Sequence, residues 1–227
     1  IIVVLSGSPK QEWAEVVEGS AEALRVAREG HRFTPNQSNL CRGDFPSARY
    51  GISYGGGRKE PGNVAVQSKN NLRVFHSLFS NPYIERLLGH VDRSLDLFAP
   101  QLHKYMALVL DGICQQYPQL HRFRDKSAYA CCCFNLGPRV QTHRHTDHLN
   151  IPFGWCAITA LGRFDPKRGG HLILWSLGLL IEFPPGTTIY IPSAVVEHSN
   201  IPVQADEDRF SIVQWMPGPL CRWFDYG

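Results

Sequence analysis

Three imidazoles and a carboxylate fall within eight residues, Gln141-Thr142-His143-Arg144-His145-Thr146-Asp147-His148. On an extended chain, side chains at i and i+2 share a face. A strand over 139–147 would therefore align His143, His145 and Asp147 and turn Thr146 and His148 away. One imidazole and one carboxylate on a strand supply two-thirds of a facial metal triad. His198, about fifty positions further on, is the candidate for the third ligand. Two imidazoles and a carboxylate leave three positions open on an octahedral Fe(II). A 2-oxo acid can take two of them and O2 the third. Arg209 and Ser211 follow at i and i+2, so a guanidinium and a hydroxyl would enter a barrel interior together. A guanidinium grips a carboxylate through two parallel hydrogen bonds, which suits the distal carboxylate of 2-oxoglutarate. The catalytic and metal candidates are thus His145, Asp147 and His198, and the co-substrate candidates are Arg209 and Ser211. Asn135, ten residues before His145, could contact the co-substrate or cap a turn.

A rival metal motif is testable in the same stretch. Gly137, five residues, and His143-x-His145 match the opening of a cupin site. That site needs a Glu at 149 or 150, where this chain has Leu149 and Asn150. It also needs a His soon after a Pro-x-Gly, and Pro184-Pro185-Gly186 is followed by Thr187, Thr188 and Ile189. The cupin set fails twice, which leaves His143 to support the site, face a substrate or serve the fold.

The elements that must position these residues divide the chain in two. Short apolar runs at 128–134, 139–147, 155–161, 171–175, 179–183, 187–191 and 209–215 alternate with Gly/Pro turns, the mark of an antiparallel sandwich or barrel. Before them, Trp13, Val16, Val17, Ala21, Leu24 and Ala27 repeat at helical spacing over Pro9 to Glu29. The period returns between Leu72 and Tyr117, with breaks at Asn81-Pro82 and Pro100, giving amphipathic helices suited to buttress a sheet. His76, His90 and His103 on them are read as ordinary surface or boundary histidines. Between these segments, Gly43, Gly51, Gly55-Gly56-Gly57 and Gly62 stand among Arg42, Arg49, Arg58 and Lys59, which predicts a basic glycine-rich loop over 42–71. That loop is either a substrate-contacting lid or a plain connection. The fold expected is α+β: a double-stranded β-helix (jelly-roll) core over 127–227 with a helical N-terminal layer over 1–126, one domain in all.

Hydrophobic content of 43% against 19% charged residues excludes a disordered chain. A net charge of +3 permits a nucleic-acid groove without requiring one. The start, Ile1 to Leu5, is too short to span a membrane and lacks the flanks of a secretory signal; the missing initiator Met is expected of a piece of a longer protein. Seven cysteines, three of them consecutive at 131–133, form no CxxC pair and no disulfide framework, and are read as buried thiols in a reducing compartment.

From about Tyr129 to Trp223 the chain resembles the TET/JBP-type 2-oxoglutarate/Fe(II) dioxygenases of mushroom-forming fungi. The resemblance rests on Phe134-Asn135-Leu136-Gly137-Pro138, His145-Thr146-Asp147, Asn150-Ile151-Pro152-Phe153-Gly154-Trp155-Cys156 and Gly169-Gly170-His171-Leu172. It continues in Pro184-Pro185-Gly186-Thr187 and in Pro192-Ser193-Ala194 before His198-Ser199-Asn200, and reaches the Tyr54–Gly62 loop. It implies oxidation of the methyl group of DNA bases, 5-methylcytosine first and N6-methyladenine second, with His145, Asp147 and His198 on iron and Arg209 with Ser211 on 2-oxoglutarate. Ascorbate would serve as reductant in vitro. The Cys-rich zinc region and large barrel insert of animal members are missing from this stretch.

A methylated base must leave the duplex to reach the metal. His143, Phe153, Trp155 and Trp175 are candidates for the pocket wall, although such aromatics more often belong to the core. Arg42, Arg49, Arg58 and Lys59 are candidates for phosphate contacts, which would make binding salt-dependent. Methylated DNA is the partner expected, with a monomeric protein, no membrane, and a nuclear location inferred from that substrate. Two readings compete: a peptidyl (prolyl-type) hydroxylase using the same iron site, and an inactive barrel kept as a DNA-binding module.

Overall fold

The structure is a computed structural model and describes residues 4–6 and 11–227. The apolar residues 1–3 and the predicted helical residues 9–10 lie outside these. In chain order the elements are β1 Val4–Ser6, α1 Gln11–Gly30, α2 Pro35–Ser38, β2 Ser47–Ser53, β3 Gly62–Asn63, α3 Lys69–Phe79, α4 Pro82–Phe98 and α5 Pro100–Gln116. The second half holds β4 Cys131–Asn135, β5 Cys156–Leu161, β6 Leu172–Leu174, β7 Leu179–Ile181, β8 Thr188–Ile191, β9 His198–Asn200, β10 Phe210–Trp215 and α6 Gly218–Tyr226. A seven-stranded sheet runs β1-β8-β5-β10-β4-β2-β3 and a three-stranded sheet runs β7-β6-β9. Every pairing is antiparallel.

The period of two in each strand sorts side chains to two cores. Cys133, Cys156, Ile158, Ala160, Ile189, Ile191 and Val213 of the large sheet meet Leu172 and Leu174 of the small sheet and fill the interior between them. Their neighbours Cys132, Phe134, Ala157, Tyr190 and Ile212 point the other way, onto Leu24 of α1, Leu87, Leu88, Val91 and Leu95 of α4, and Val109 and Leu110 of α5. The helices buttress the large sheet. Their ends are set by the sequence: Ser68 accepts the Asn71 N–H at 3.1 Å to start α3, and Asn81 accepts from Tyr83 and Ile84 ahead of Pro82 to start α4. No helix of the described residues is long and apolar enough to cross a membrane. All seven cysteines are free thiols, with Cys132 on the helix side and Cys133 in the interior.

Two expectations need correction. The predicted strand over 139–147 is not one: that segment touches its neighbours through isolated bridges, Arg139 to Arg209 and His145 to His198. The predicted loop over 42–71 contains β2, which pairs along its length with β4, and the short β3. Ala48 and Ile52 of β2 are buried and Tyr50 packs on Phe75 and Phe79, an alternation that the glycines and arginines obscured. The unforeseen elements include β9, carrying His198, and α6 after Pro217-Gly218-Pro219, besides the short β1 and α2.

Gly51 shows why β2 tolerates glycine. It has φ +135, and a Cβ there would lie 2.2 Å from the Ala130 carbonyl of the adjoining chain. Gly51→Val should cost about 3 kcal/mol of stability, whereas Gly56→Ala, with nothing within 4 Å, should cost about 1 kcal/mol. Urea unfolding midpoints at an unchanged m-value measure the difference.

Candidate functional site

His145, Asp147 and His198 converge, each offering one donor atom, with all three atoms within 4.8 Å of one another. Among the described residues this is the one such cluster. His145 Nε2 lies 3.7 Å from Asp147 Oδ1, and His198 Nε2 lies 3.9 Å from Asp147 Oδ2. The two rings sit 4.3 Å apart.

Backbone bonds hold this arrangement although residues 141–147 form no strand. The His145 N–H donates to the His198 carbonyl at 3.1 Å, and the His198 N–H donates back at 2.9 Å. Upstream, Asn200 accepts the Thr142 N–H at 2.9 Å and donates to the Val140 carbonyl at 3.1 Å. Downstream, the Asp147 N–H donates to the Ser193 carbonyl at 2.8 Å, and Asn150 Nδ2 donates to Ser193 Oγ at 2.9 Å. These pegs replace the ladder that a strand would have supplied.

The protonation state is also set by backbone. His145 Nδ1 donates to the His143 carbonyl at 2.7 Å, and His198 Nδ1 donates to the Val196 carbonyl at 2.9 Å. A carbonyl can only accept, so Nδ1 of each ring carries a proton and each Nε2 is left facing Asp147. Burial, with the neighbouring His198, pushes the His145 pKa down to about 4, so its ring is neutral across the ordinary pH range.

Arg209 lies deeper in the interior and is 2% exposed. Its Nη1 donates to the Val140 carbonyl at 3.3 Å, its Nε has no partner, and its guanidinium lies 5.8 Å from the centre of the Phe183 ring. No carboxylate among the described residues pairs with it. Burial lowers its pKa to about 10, which still leaves it charged near neutrality. A buried cation without an anion costs several kcal/mol, so an anion bound at Arg209 would be favoured. Ser211 shares this face of β10, and its Oγ accepts from Asn135 Nδ2 at 2.9 Å. Asn135 therefore reaches across from β4 to the candidate co-substrate hydroxyl.

The other candidates are placed as follows. The His143 ring is exposed; its main chain orients His145 through the carbonyl, and its N–H donates to the Arg42 carbonyl at 2.7 Å. Phe153 is 62% exposed and lies beside Tyr105 of α5, and Trp155 lies near Tyr190 of the helix-side core. Neither is brought to the triad by these contacts. Trp175 donates to Ser199 Oγ at 3.0 Å, on the residue next to His198, and Arg144 lies over its ring at 5.2 Å. Arg58 and Lys59 are exposed on the β2–β3 turn, where Arg58 Nη1 donates to the Gly62 carbonyl at 3.0 Å. Arg42, expected to meet phosphate, instead donates to Asp147 Oδ1 at 3.3 Å. That contact was missed because a partner 105 positions away leaves no trace in spacing. Asn200 and Ser193 were visible only as neighbours of His198.

The chain is similar to the solved structure of NgTET1 in complex with 5mC DNA, at 13% identity over 96% of this chain and 72% of that one, with a TM-score of 0.59. It also resembles a Burkholderia pseudomallei oxidoreductase of the 2OG-Fe(II) oxygenase family, at 15% identity over 94% and 85% of the two chains and a TM-score of 0.47. A Pseudomonas putida prolyl-4-hydroxylase gives 15% identity over 95% and 92%, with a TM-score of 0.44. The fold is that of the 2OG-Fe(II) oxygenases. No family model matches the sequence, and no curated protein matches it either.

The residues present fit the two groups this fold implies. A donor set of two imidazoles and one carboxylate suits Fe(II), and Arg209, with no carboxylate partner among the described residues, suits the far carboxylate of 2-oxoglutarate together with Ser211. In the presence of Mn(II), 2-oxoglutarate at 100 times its Kd should stabilise the fold by about 2.7 kcal/mol. Arg209→Met should abolish that stabilisation and raise the ligand-free melting temperature, because it removes an unpaired buried charge. Thermal melts with and without 2-oxoglutarate read both effects.

Proposed function

We propose that this protein is a 2-oxoglutarate- and Fe(II)-dependent dioxygenase that oxidises the methyl group of methylated DNA bases. The carrying observation is that two imidazoles and a carboxylate converge in the same fold as a buried guanidinium with no carboxylate partner among the described residues, the Val140 carbonyl accepting from both Arg209 and Asn200. When bound, Fe(II) and 2-oxoglutarate supply O2 activation, with release of succinate and CO2, and insertion of an oxygen atom into a C–H bond. His145, Asp147 and His198 hold the metal by one atom each. Arg209 pairs with the distal carboxylate, and Ser211, steadied by Asn135, adds a hydrogen bond. Ile158, Val213, Leu174 and Phe183 line the interior with hydrocarbon and keep bulk water from the reacting centre.

The nucleic-acid part of the reading is supported by charge placement. Arg49 is exposed on β2, in register with Cys133, so it points to the interior side of the large sheet's open edge. Arg49 and Arg58 both lie close enough to act on the Cys131 thiol, which burial nevertheless pushes up to about 12. Neither guanidinium has a carboxylate partner among the described residues; Arg58 bonds only to Ser53 and Gly62. Cations left unpaired beside a site suit a polyanion. The fold likeness to NgTET1, solved with 5mC DNA, points the same way. The target nucleotide would be flipped from its stack to reach the triad. A nuclear location and monomeric action on methylated DNA belong to the same proposal.

The test is mass spectrometry of nucleosides from duplexes carrying 5-methylcytosine or N6-methyladenine, incubated with protein, Fe(II), 2-oxoglutarate and ascorbate. Oxidised base from the wild type, and none from a His145→Ala, Asp147→Ala variant, is the expected result. Succinate formed with a proline-containing peptide and not with DNA would replace this reading with the peptidyl hydroxylase. Metal-independent DNA binding with neither product would leave a binding module. Arg49→Ala should also reduce the slope of log Kd against log salt by about 0.9.

A further inference from the structure

Arg42 is built into the site from a distance. It is the third residue of the tight turn Leu40-Cys41-Arg42-Gly43, closed by two backbone bonds between Leu40 and Gly43 at 3.2 and 3.0 Å. Gly43 has φ +147, and a Cβ there would stand 2.3 Å from the Gln141 carbonyl. The turn is therefore pressed against the backbone of the segment that carries the ligands. From this position Arg42 makes two contacts. Its carbonyl accepts the His143 N–H at 2.7 Å, and the His143 carbonyl in turn fixes the tautomer of His145. Its Nη1 donates to Asp147 Oδ1 at 3.3 Å, with both side chains mostly buried at 23% and 16% exposure.

We infer that Arg42 is a positioning residue that occupies one oxygen of Asp147 and so holds that carboxylate to a single metal bond. This inference rests on the reading of His145, Asp147 and His198 as a metal site. A carboxylate can ligate through one oxygen or both. If both oxygens of Asp147 turned to the metal, they would take one of the three positions that the co-substrate and O2 require. A guanidinium competes well for one oxygen because it is charged and its donors are fixed in a plane. The turn brings it there from outside the β core, so the N-terminal segment completes a site whose ligands all lie in the C-terminal half. Partners of metal ligands typically contribute 10- to 100-fold to affinity or activity.

The experiment uses the whole chain with Co(II), whose visible spectrum reports coordination, and reads 2-oxoglutarate affinity of the Co(II)-loaded protein by calorimetry. Wild type, Arg42→Met, Arg42→Lys and the His145→Ala, Asp147→Ala variant are compared, with circular dichroism to confirm folding. The expected result is a changed Co(II) spectrum in Arg42→Met and 2-oxoglutarate binding weakened about 10-fold, both partly restored in Arg42→Lys. If Arg42→Met is unfolded, Arg42→Lys and Arg42→Gln carry the test, since each alters the contact while keeping a polar donor. A wild-type spectrum and wild-type affinity in folded Arg42 variants overturn the inference while the metal site stands. Failure of the wild type to bind Co(II) any better than the double variant overturns the metal site and the inference with it.

Discussion

The pair of backbone hydrogen bonds between His145 and His198 is the constraint on which the site depends. The two ligands lie far apart in the chain, and neither the preceding segment nor the loop before β9 is regular enough to place them alone. Reciprocal N–H to carbonyl bonds at 3.1 and 2.9 Å fix the two backbones to one another. Each ring is then turned by its own Nδ1 bond to the carbonyl two residues earlier, at positions 143 and 196. The same device used twice brings both Nε2 atoms to Asp147, with the two rings tilted 47° to one another. Asp147 joins them through its bond to Ser193, on the turn before β9. The ligand geometry is thus a property of the main chain, with side-chain packing in support.

That main chain is held in turn by the two-sheet interior. β10 lies between β4 and β5, so Ser211 is flanked by Asn135 on one side and Ala160 on the other. Ala160 and Ser211 sit side by side on the inward face, next to the buried Arg209. The opposite face of the same strands meets α1, α4 and α5 through a mainly apolar layer, in which Asp92 accepts the Ala128 N–H and Tyr190 donates to the Val91 carbonyl. Strand alternation therefore does two jobs with one sheet. Residues of one parity build the chemistry and those of the other parity anchor it to a rigid helical layer.

Much of this was legible in the sequence, for reasons that differ between residues. The convergence of His145, Asp147 and His198 and the inward burial of Arg209 and Ser211 were readable because their residue types are chemically distinctive and their order follows the β runs. The predicted runs at 128–134, 155–161, 171–175, 179–183, 187–191 and 209–215 fall on β4, β5, β6, β7, β8 and β10. The strand expected at 139–147 failed because the alternation there is polar and is held by Asn200 and Ser193, long-range partners that no local period reveals. β2 was concealed for the opposite reason: its alternation is real, but Gly51 and Arg49 carry the composition of a loop. The aromatic residues Phe153 and Trp155 show the limit of residue type as a guide, since ring chemistry suits a core as well as a pocket wall.

The arrangement of charge ties these observations together. The chain carries a net charge of only +3, yet its cations are concentrated by position more than by number. Among the described residues Arg209 is buried with no anion, Arg42 is committed to Asp147, and Arg49 has no carboxylate partner at the edge of the open sheet. Desolvation makes the buried charge costly in the free protein and selective for an anion that can also reach the triad. The exposed charge costs almost nothing and acts over a Debye length of about 8 Å at physiological salt. The interior cation therefore suits a small dianion held in one orientation, and the edge cation suits a larger anion that approaches from solvent. A site with those two demands at different depths has a physical basis for binding its co-substrate and its substrate in separate places.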